Sequence, residues 1–143
     1  MRTAFAGREA GRLMSFPATT IRADASLEQA VEDFFVPYRY AAFPVLDGGR
    51  PVGLVDLDAV EPIPAHRRAA LTVGQVAVLD PDLIVDEHQD VGALLERPVF
   101  QRVGRAVVQS ADGGIGILSI TDVNRALRAY DLKSAPAAQA RSA

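Results

Sequence analysis

A serine and an aspartate three residues apart stand where an apolar run gives way to a helical pattern: Ser119 and Asp122, in Gly116-Ile117-Leu118-Ser119-Ile120-Thr121-Asp122-Val123. A helix opens with unpaired N–H groups and the positive end of its dipole, and both favour an anion. A serine hydroxyl placed there donates to a phosphate oxygen. An aspartate in the first turn accepts from ribose hydroxyls, the chemistry by which dinucleotide-binding folds hold a ribose. Arg125 and Arg128 follow on the same stretch and supply positive charge for phosphate. The same pattern is also a plain helix N-cap, and both readings stand at this level.

The chain repeats itself at an offset close to 63 residues. Gly11-Arg12-Leu13-Met14, Ala25-Ser26-Leu27-Glu28-Gln29-Ala30-Val31, Phe43-Pro44-Val45 and Gly53-Leu54-Val55 return as Gly74-Gln75-Val76-Ala77, Val91-Gly92-Ala93-Leu94-Leu95, Ala106-Val107-Val108 and Gly116-Ile117-Leu118. The earlier copy changes the two chemical positions: Asp56 stands where Ser119 does, and Ala59 where Asp122 does. An aspartate repels phosphate and an alanine cannot hold ribose. Asp58 is one residue out of place, about 100° around a helix. The first half is therefore expected to bind no nucleotide phosphate.

Other chemistry is sparse. His88 lies in Asp86-Glu87-His88-Gln89-Asp90, a polar loop leading into a helix, and His66 lies in a basic stretch. A histidine metal site needs ligands converging from a fixed scaffold, so none is expected. No histidine sits beside a serine in a nucleophile motif and cysteine is absent, so no catalytic residue is assigned. A net charge of −3 argues against coating nucleic acid, which rests on phosphate neutralisation. Hydrophobic residues at 49% are enough for a core and too many for a disordered chain. No apolar run reaches bilayer length.

These residues need elements to hold them. Residues 8–14 suit a short helix, closed at Phe16-Pro17, and 19–21 a strand. Ser26 caps a helix, with Gln29 completing a capping box. Leu27, Ala30, Val31, Phe34 and Phe35 form its apolar face, and Pro37 is expected to cut it at its last turn. Residues 42–46 and 51–57 make a hairpin across Asp47-Gly48-Gly49. Prolines and His66-Arg67-Arg68 mark a linker. The second half runs in the same order: a helix at 73–77, a strand at 83–85, a helix from Val91 shortened by Pro98, and a hairpin of 105–109 with 116–119. A last helix carries Val123, Ala126, Leu127 and Tyr130 on one side. The expected organisation is repeat 1 at 8–64, linker 65–71, repeat 2 at 72–131 and a disordered tail at 132–143. The expected class is mixed α/β (α+β), each half a three-stranded sheet with helices, the halves related by a pseudo-two-fold axis and packed together.

This order, in two copies, resembles the tandem cystathionine-β-synthase (CBS) domain, or Bateman module. The likeness rests on Phe43-Pro44-Val45-Leu46-Asp47-Gly48-Gly49, on Gly53-Leu54-Val55 and Gly116-Ile117-Leu118, and on Ser119-Ile120-Thr121-Asp122, and it covers residues 8–131. The resemblance implies a non-catalytic regulator that senses AMP, ADP, ATP or S-adenosylmethionine between its halves. By position it places the adenine against Ile84, Ala106, Val107 and Ile117, with Ser119, Asp122 and Arg125 beside ribose and phosphate. It also implies a homodimer, with the Phe34-Phe35 and Val123-Leu127 faces as candidate contacts. A narrower likeness joins Val60-Glu61-Pro62-Ile63-Pro64-Ala65-His66-Arg67-Arg68, Leu71-Thr72-Val73-Gly74-Gln75-Val76 and the stretch from Phe35 to Pro44 to the CBS tails of bacterial site-two-type intramembrane zinc metalloproteases. It implies a cytoplasmic tail at the inner membrane, attached to a protease domain that this chain, lacking His-Glu-x-x-His, does not contain. The competing readings are a structural or dimerisation module without a ligand, and a small enzyme.

Overall fold

The computed structural model describes residues 8–134. The first half contains α1 (Ala10–Leu13), β1 (Ile21–Arg22), α2 (Leu27–Ala30), α3 (Val36–Tyr38), β2 (Ala42–Asp47), β3 (Arg50–Asp56) and α4 (Leu57–Val60). A 3-10 turn (Ala65–Ala70) leads into α5 (Val73–Val76), β4 (Ile84–Asp86), α6 (Val91–Leu95), α7 (Pro98–Val103), β5 (Arg105–Gln109), β6 (Ile115–Ser119) and α8 (Ile120–Ser134). Residues 132–134, expected to open a disordered tail, are instead the last turn of α8. The rest of that tail, and residues 1–7, lie outside the described residues.

Local chemistry explains most boundaries. The Ser26 hydroxyl accepts from Gln29 N–H at 3.0 Å, and the Asp90 carboxylate accepts from Ala93 N–H at 2.9 Å, each starting a helix. The first hairpin turns on Gly48 and Gly49, both at positive φ, which a tight two-residue loop requires. Pro37 stands in the last turn of its helix, as expected, and Pro98 does more than expected. Pro37 lies inside α3, because α2 passes through a π-helical turn (Val31–Phe35) before reaching it. That wider turn relieves the clash between a proline ring and the carbonyl four residues back. The helix ends only at Arg39, in the left-handed region at φ 60°. Pro98 does not merely shorten a helix; it opens α7, where its missing N–H costs nothing. The strand expected at 19–21 is β1 at Ile21–Arg22.

Each half forms one three-stranded sheet, with β1 parallel to β2 and β2 antiparallel to β3, and likewise β4, β5 and β6. The hairpin registers coincide from the open end as far as Val45, after which the first hairpin shifts and the second does not. Ala42 faces Asp56 as Arg105 faces Ser119, and Val45 faces Gly53 as Val108 faces Gly116. The two halves thus share one topology.

They also exchange their leading helices. α1 docks on the second half, where Gly11 N–H donates to Glu87 O and Val91 N–H donates to Arg8 O, at 2.8 and 2.9 Å. α5 docks on the first, where Gly74 N–H donates to Ala23 O and Leu27 N–H donates to Leu71 O, at 2.9 and 2.8 Å. The chain after each helix then crosses the other half's sheet. Ser15 pairs with Ile117 in both directions, and Val78 pairs with Leu54 in the same way. At each crossing a glycine is the neighbour. A Cβ on Gly53 would run into the Val78 carbonyl, and one on Gly116 into Met14 and the Ser15 carbonyl. Of the repeated glycines, Gly53 and Gly116 are the places where one half's strap lies on the other half's strand.

Three clusters make the core. One gathers Ile21, Leu27, Phe35, Phe43 and the visiting Val73. A second gathers Val85, Leu94, Phe100, Leu118, Val123 and the visiting Ala10. The third joins the halves through Ala42, Leu54, Leu83, Val99 and Val107. Phe35 and Val123 are buried, and Phe34 and Leu127 are packed against the same clusters. Phe35 and Val123 thus belong to the core, while Phe34 and Leu127 keep part of their surface exposed.

His88 closes the α1 junction from outside. Its Nδ1 lies 3.2 Å from Glu9 Oε1, and its pKa is raised above 6.5, chiefly by the hydrogen bond and charge of Glu9, with Glu87 and Asp86 adding to the effect. A raised folded-state value means the contribution is complete below the unfolded pKa and disappears as pH rises through the folded one. The thermal midpoint should fall slightly between about pH 6 and about pH 8, the range in which histidine titrates. His88→Gln should flatten that part of the profile; an unaltered slope would assign it to other groups.

Candidate functional site

Ser119 ends β6 and caps α8. Its Oγ accepts from Asp122 N–H at 3.0 Å, and Asp122 Oδ2 receives Ser119 N–H at 3.3 Å. The pair is a reciprocal capping box. It is also part of a cavity wall. A cleft of about 450 Å³ opens beside it, between the two halves. Ser15, Pro17, Ala18 and Thr19 of the first strap form one side. Arg39, Tyr40, Ala41, Ala42 and Pro44 come from the first half, and Arg105, Ile117, Ser119 and Asp122 from the second.

Of the residues singled out from sequence, Ser119, Asp122 and Ile117 meet at this cleft. The others do not. Ala106 and Val107 are fully buried, Ala106 in the second half's core and Val107 in the cluster between halves. Ile84 packs against that same central cluster. Arg125 points to solvent, with its Nη1 3.7 Å from Asp122 Oδ1, and Arg128 is exposed. The apolar walls available to a base are instead Tyr40, Ala42, Pro44 and Ile117.

Tyr40 is half exposed and held from behind by rings, Tyr38 at 5.6 Å and Phe43 at 5.7 Å between centroids. Arg105 faces Ser119 across the β5–β6 hairpin. Arg39 follows the π-helical segment by one short helix. Neither arginine has a side-chain hydrogen bond or ion pair among the described residues.

The chemistry still open to these groups is definite. Ser119 Oγ accepts one bond and keeps its O–H to donate. The Asp122 carboxylate has lone pairs left for two hydroxyls. In the first half, Asp56 caps α4 by accepting from Ala59 N–H at 2.9 Å, so a charged acceptor sits at the point where Ser119 offers a donor. Among the described residues no group of three or more histidine, aspartate or glutamate side chains is placed to hold a metal ion, and no helix is long and apolar enough to cross a membrane.

The CBS domain family matches residues 10–60. No curated protein sequence matches the chain. Among solved structures, the CBS domain of a bacterial CNNM/CorC family Mg2+ transporter in complex with ATP is similar with a TM-score of 0.73 at 20% identity, over 86% of this chain and 89% of that one. A CBS domain-containing protein of unknown function from Bacillus anthracis str. Ames Ancestor is similar at 0.70 and 22%, over 87% and 95%. A hemolysin-like protein containing a CBS domain, from Oenococcus oeni PSU, is similar at 0.68 and 20%, over 86% and 92%. At such identities the likeness is one of fold: the chain has the architecture of a CBS domain pair.

Proposed function

We propose that this CBS-pair fold is a non-catalytic regulatory module that senses an adenine nucleotide in the cleft beside Ser119 and Asp122. One observation carries this reading. A single cavity bounded by both halves brings together a helix N-terminus with a spare hydroxyl donor, a carboxylate with spare acceptors, a supported aromatic face and two arginines. A ligand there touches both halves at once. If it binds two relative arrangements of them unequally, it shifts their populations, and an attached or associated effector can respond. The transporter domain solved with ATP supports an adenine ligand. AMP, ADP, ATP and S-adenosylmethionine are the candidates to test. The pseudo-equivalent position in the first half, with Asp56 and Ala59, is proposed to take no nucleotide phosphate.

The effector proposed from sequence, an intramembrane zinc metalloprotease, rests on the likeness of residues 60–76 and 35–44 alone; the solved relatives named above offer it no support. A reading frame that joins this chain to transmembrane segments with a His-Glu-x-x-His motif would establish that link. A cytoplasmic site of action and a homodimer belong to the same proposal. The exposed apolar side chains Val36, Tyr38 and Leu132 are better placed to meet a second copy than Phe35 or Val123.

The test is Asp122→Ala. It should weaken AMP by about 1–3 kcal/mol, the cost of lost hydrogen bonds to a charged acceptor. It should also erase the difference between AMP and its 2′,3′-dideoxy analogue, because only the intact carboxylate distinguishes them. Calorimetry showing unchanged AMP affinity in the variant would take Asp122 out of the site. The rival reading, a structural or dimerisation module, is favoured by the reciprocal capping bonds, which already give Ser119 and Asp122 a role in starting α8. Silence from all four candidate ligands would select it.

A further inference from the structure

We infer that the cleft is selective for a chain of phosphates, held between Arg39 of the first half and Arg105 of the second. The inference rests on the nucleotide-sensing reading and specifies its ligand as a nucleoside di- or triphosphate. Two arginines line one cavity, and Asp122 is the only acidic residue among its lining residues. Asp122 is engaged with Ser119 N–H and lies near Arg125. Arg39 and Arg105 have no polar side-chain partner among the described residues. Two like charges sharing a cavity repel each other, and a multivalent anion removes that repulsion while its oxygens accept from both forks. S-adenosylmethionine brings a sulfonium and an ammonium to the same place and offers the arginines one carboxylate in place of a multivalent anion.

Arg39 adds an independent indication. It closes its helix in the left-handed region at φ 60°, a role that Gly104, at φ 80°, takes at the end of α7. Glycine is the residue that this backbone conformation favours. An arginine kept at that point puts its side chain on the cavity wall rather than serving the turn.

This separates the role from the fold. Arg39→Gly should leave the melting temperature unchanged or raise it, yet weaken ATP about tenfold or more, the scale of a lost charged hydrogen bond. Arg105→Gln should weaken ATP to a similar degree, and Arg105→Lys should restore part of it. Calorimetry on the full chain, run with adenosine, AMP, ADP, ATP, S-adenosylmethionine and inorganic tripolyphosphate, should show affinity rising with phosphate number. Tripolyphosphate alone should bind, and added salt should weaken ATP more than adenosine. Adenosine binding as tightly as ATP, with both arginine variants silent, would overturn this inference and leave the adenine reading standing. Tripolyphosphate binding as tightly as ATP would overturn both the nucleoside specification and the adenine reading, even where both arginines are needed. No binding by any of the six would overturn both.

Discussion

Gly53→Ala should lower the unfolding free energy by about 3 kcal/mol, the sum of strap hydrogen bonds lost and buried backbone groups left unpaired. The added methyl would occupy the space of the Val78 carbonyl, and Val78 C and Leu79 Cα lie within about 3 Å of it. These are backbone atoms, so the neighbour cannot turn away as a flexible side chain would. The strap must lift, and with it go the paired bonds between Leu54 and Val78, at 3.1 and 2.9 Å. Gly49→Ala is the control. It sits at φ 80° with nothing within 4 Å. Only the left-handed backbone penalty applies there, roughly 1–2 kcal/mol. Denaturant unfolding of both variants decides the matter. If Gly53→Ala costs no more than Gly49→Ala, the crossing strap does not bear on stability.

That contrast shows what a linear sequence can carry. The hairpins, their glycine turn and the Ser26 cap follow from neighbours a few residues apart, so local pattern suffices to find them. The repeat was visible because the same local pattern occurs twice. Gly53 and Gly116 were also visible as a motif, but their cause lies in a strap arriving from the other half, which no local pattern records. Nor does one record that α1 and α5 change places. The π-helical turn that precedes Pro37 has no local pattern to announce it either.

The site divides along the same line. Ser119 and Asp122 form a motif within one helix start and were legible as such. The base walls were transferred by position to Ile84, Ala106 and Val107, yet alternation along β5 and burial between sheets turn two of them fully inward. Arg105 was within reach, since the expected pairing of 105–109 with 116–119 sets it opposite Ser119. Arg39 and Tyr40 had a weaker signal, a basic residue between two tyrosines beyond a helix end. Nothing near them in sequence says that they approach a strand 77 to 80 residues further on, as the shared cavity does. The two halves have also diverged in charge. The same N-cap geometry uses Asp56 in one and Ser119 in the other, so both helix starts are capped while only the second leaves a hydroxyl donor free.

Phe43→Ala and Phe100→Ala should each cost about 3–5 kcal/mol, the usual effect of emptying a buried phenylalanine site. Both side chains are fully buried, one in each half's core. Their consequences for ligand should differ. Phe43 supports a group of rings, with Phe35 at 4.9 Å, Tyr40 at 5.7 Å and Phe34 at 5.8 Å between centroids. Phe100 has no such ring partner among the described residues. Removing Phe43 withdraws the backing of Tyr40, the aromatic face of the cleft, and frees it to leave the wall. Nucleotide affinity measured well below the melting temperature should therefore fall in Phe43→Ala and hold in Phe100→Ala, although both proteins are less stable by a similar amount. Where the alanine variant is too unstable to titrate, Phe43→Leu keeps most of the volume and still removes the ring contacts. Equal loss of affinity in the two cores would mean that binding follows global stability, and Tyr40 would then have no part in holding the base.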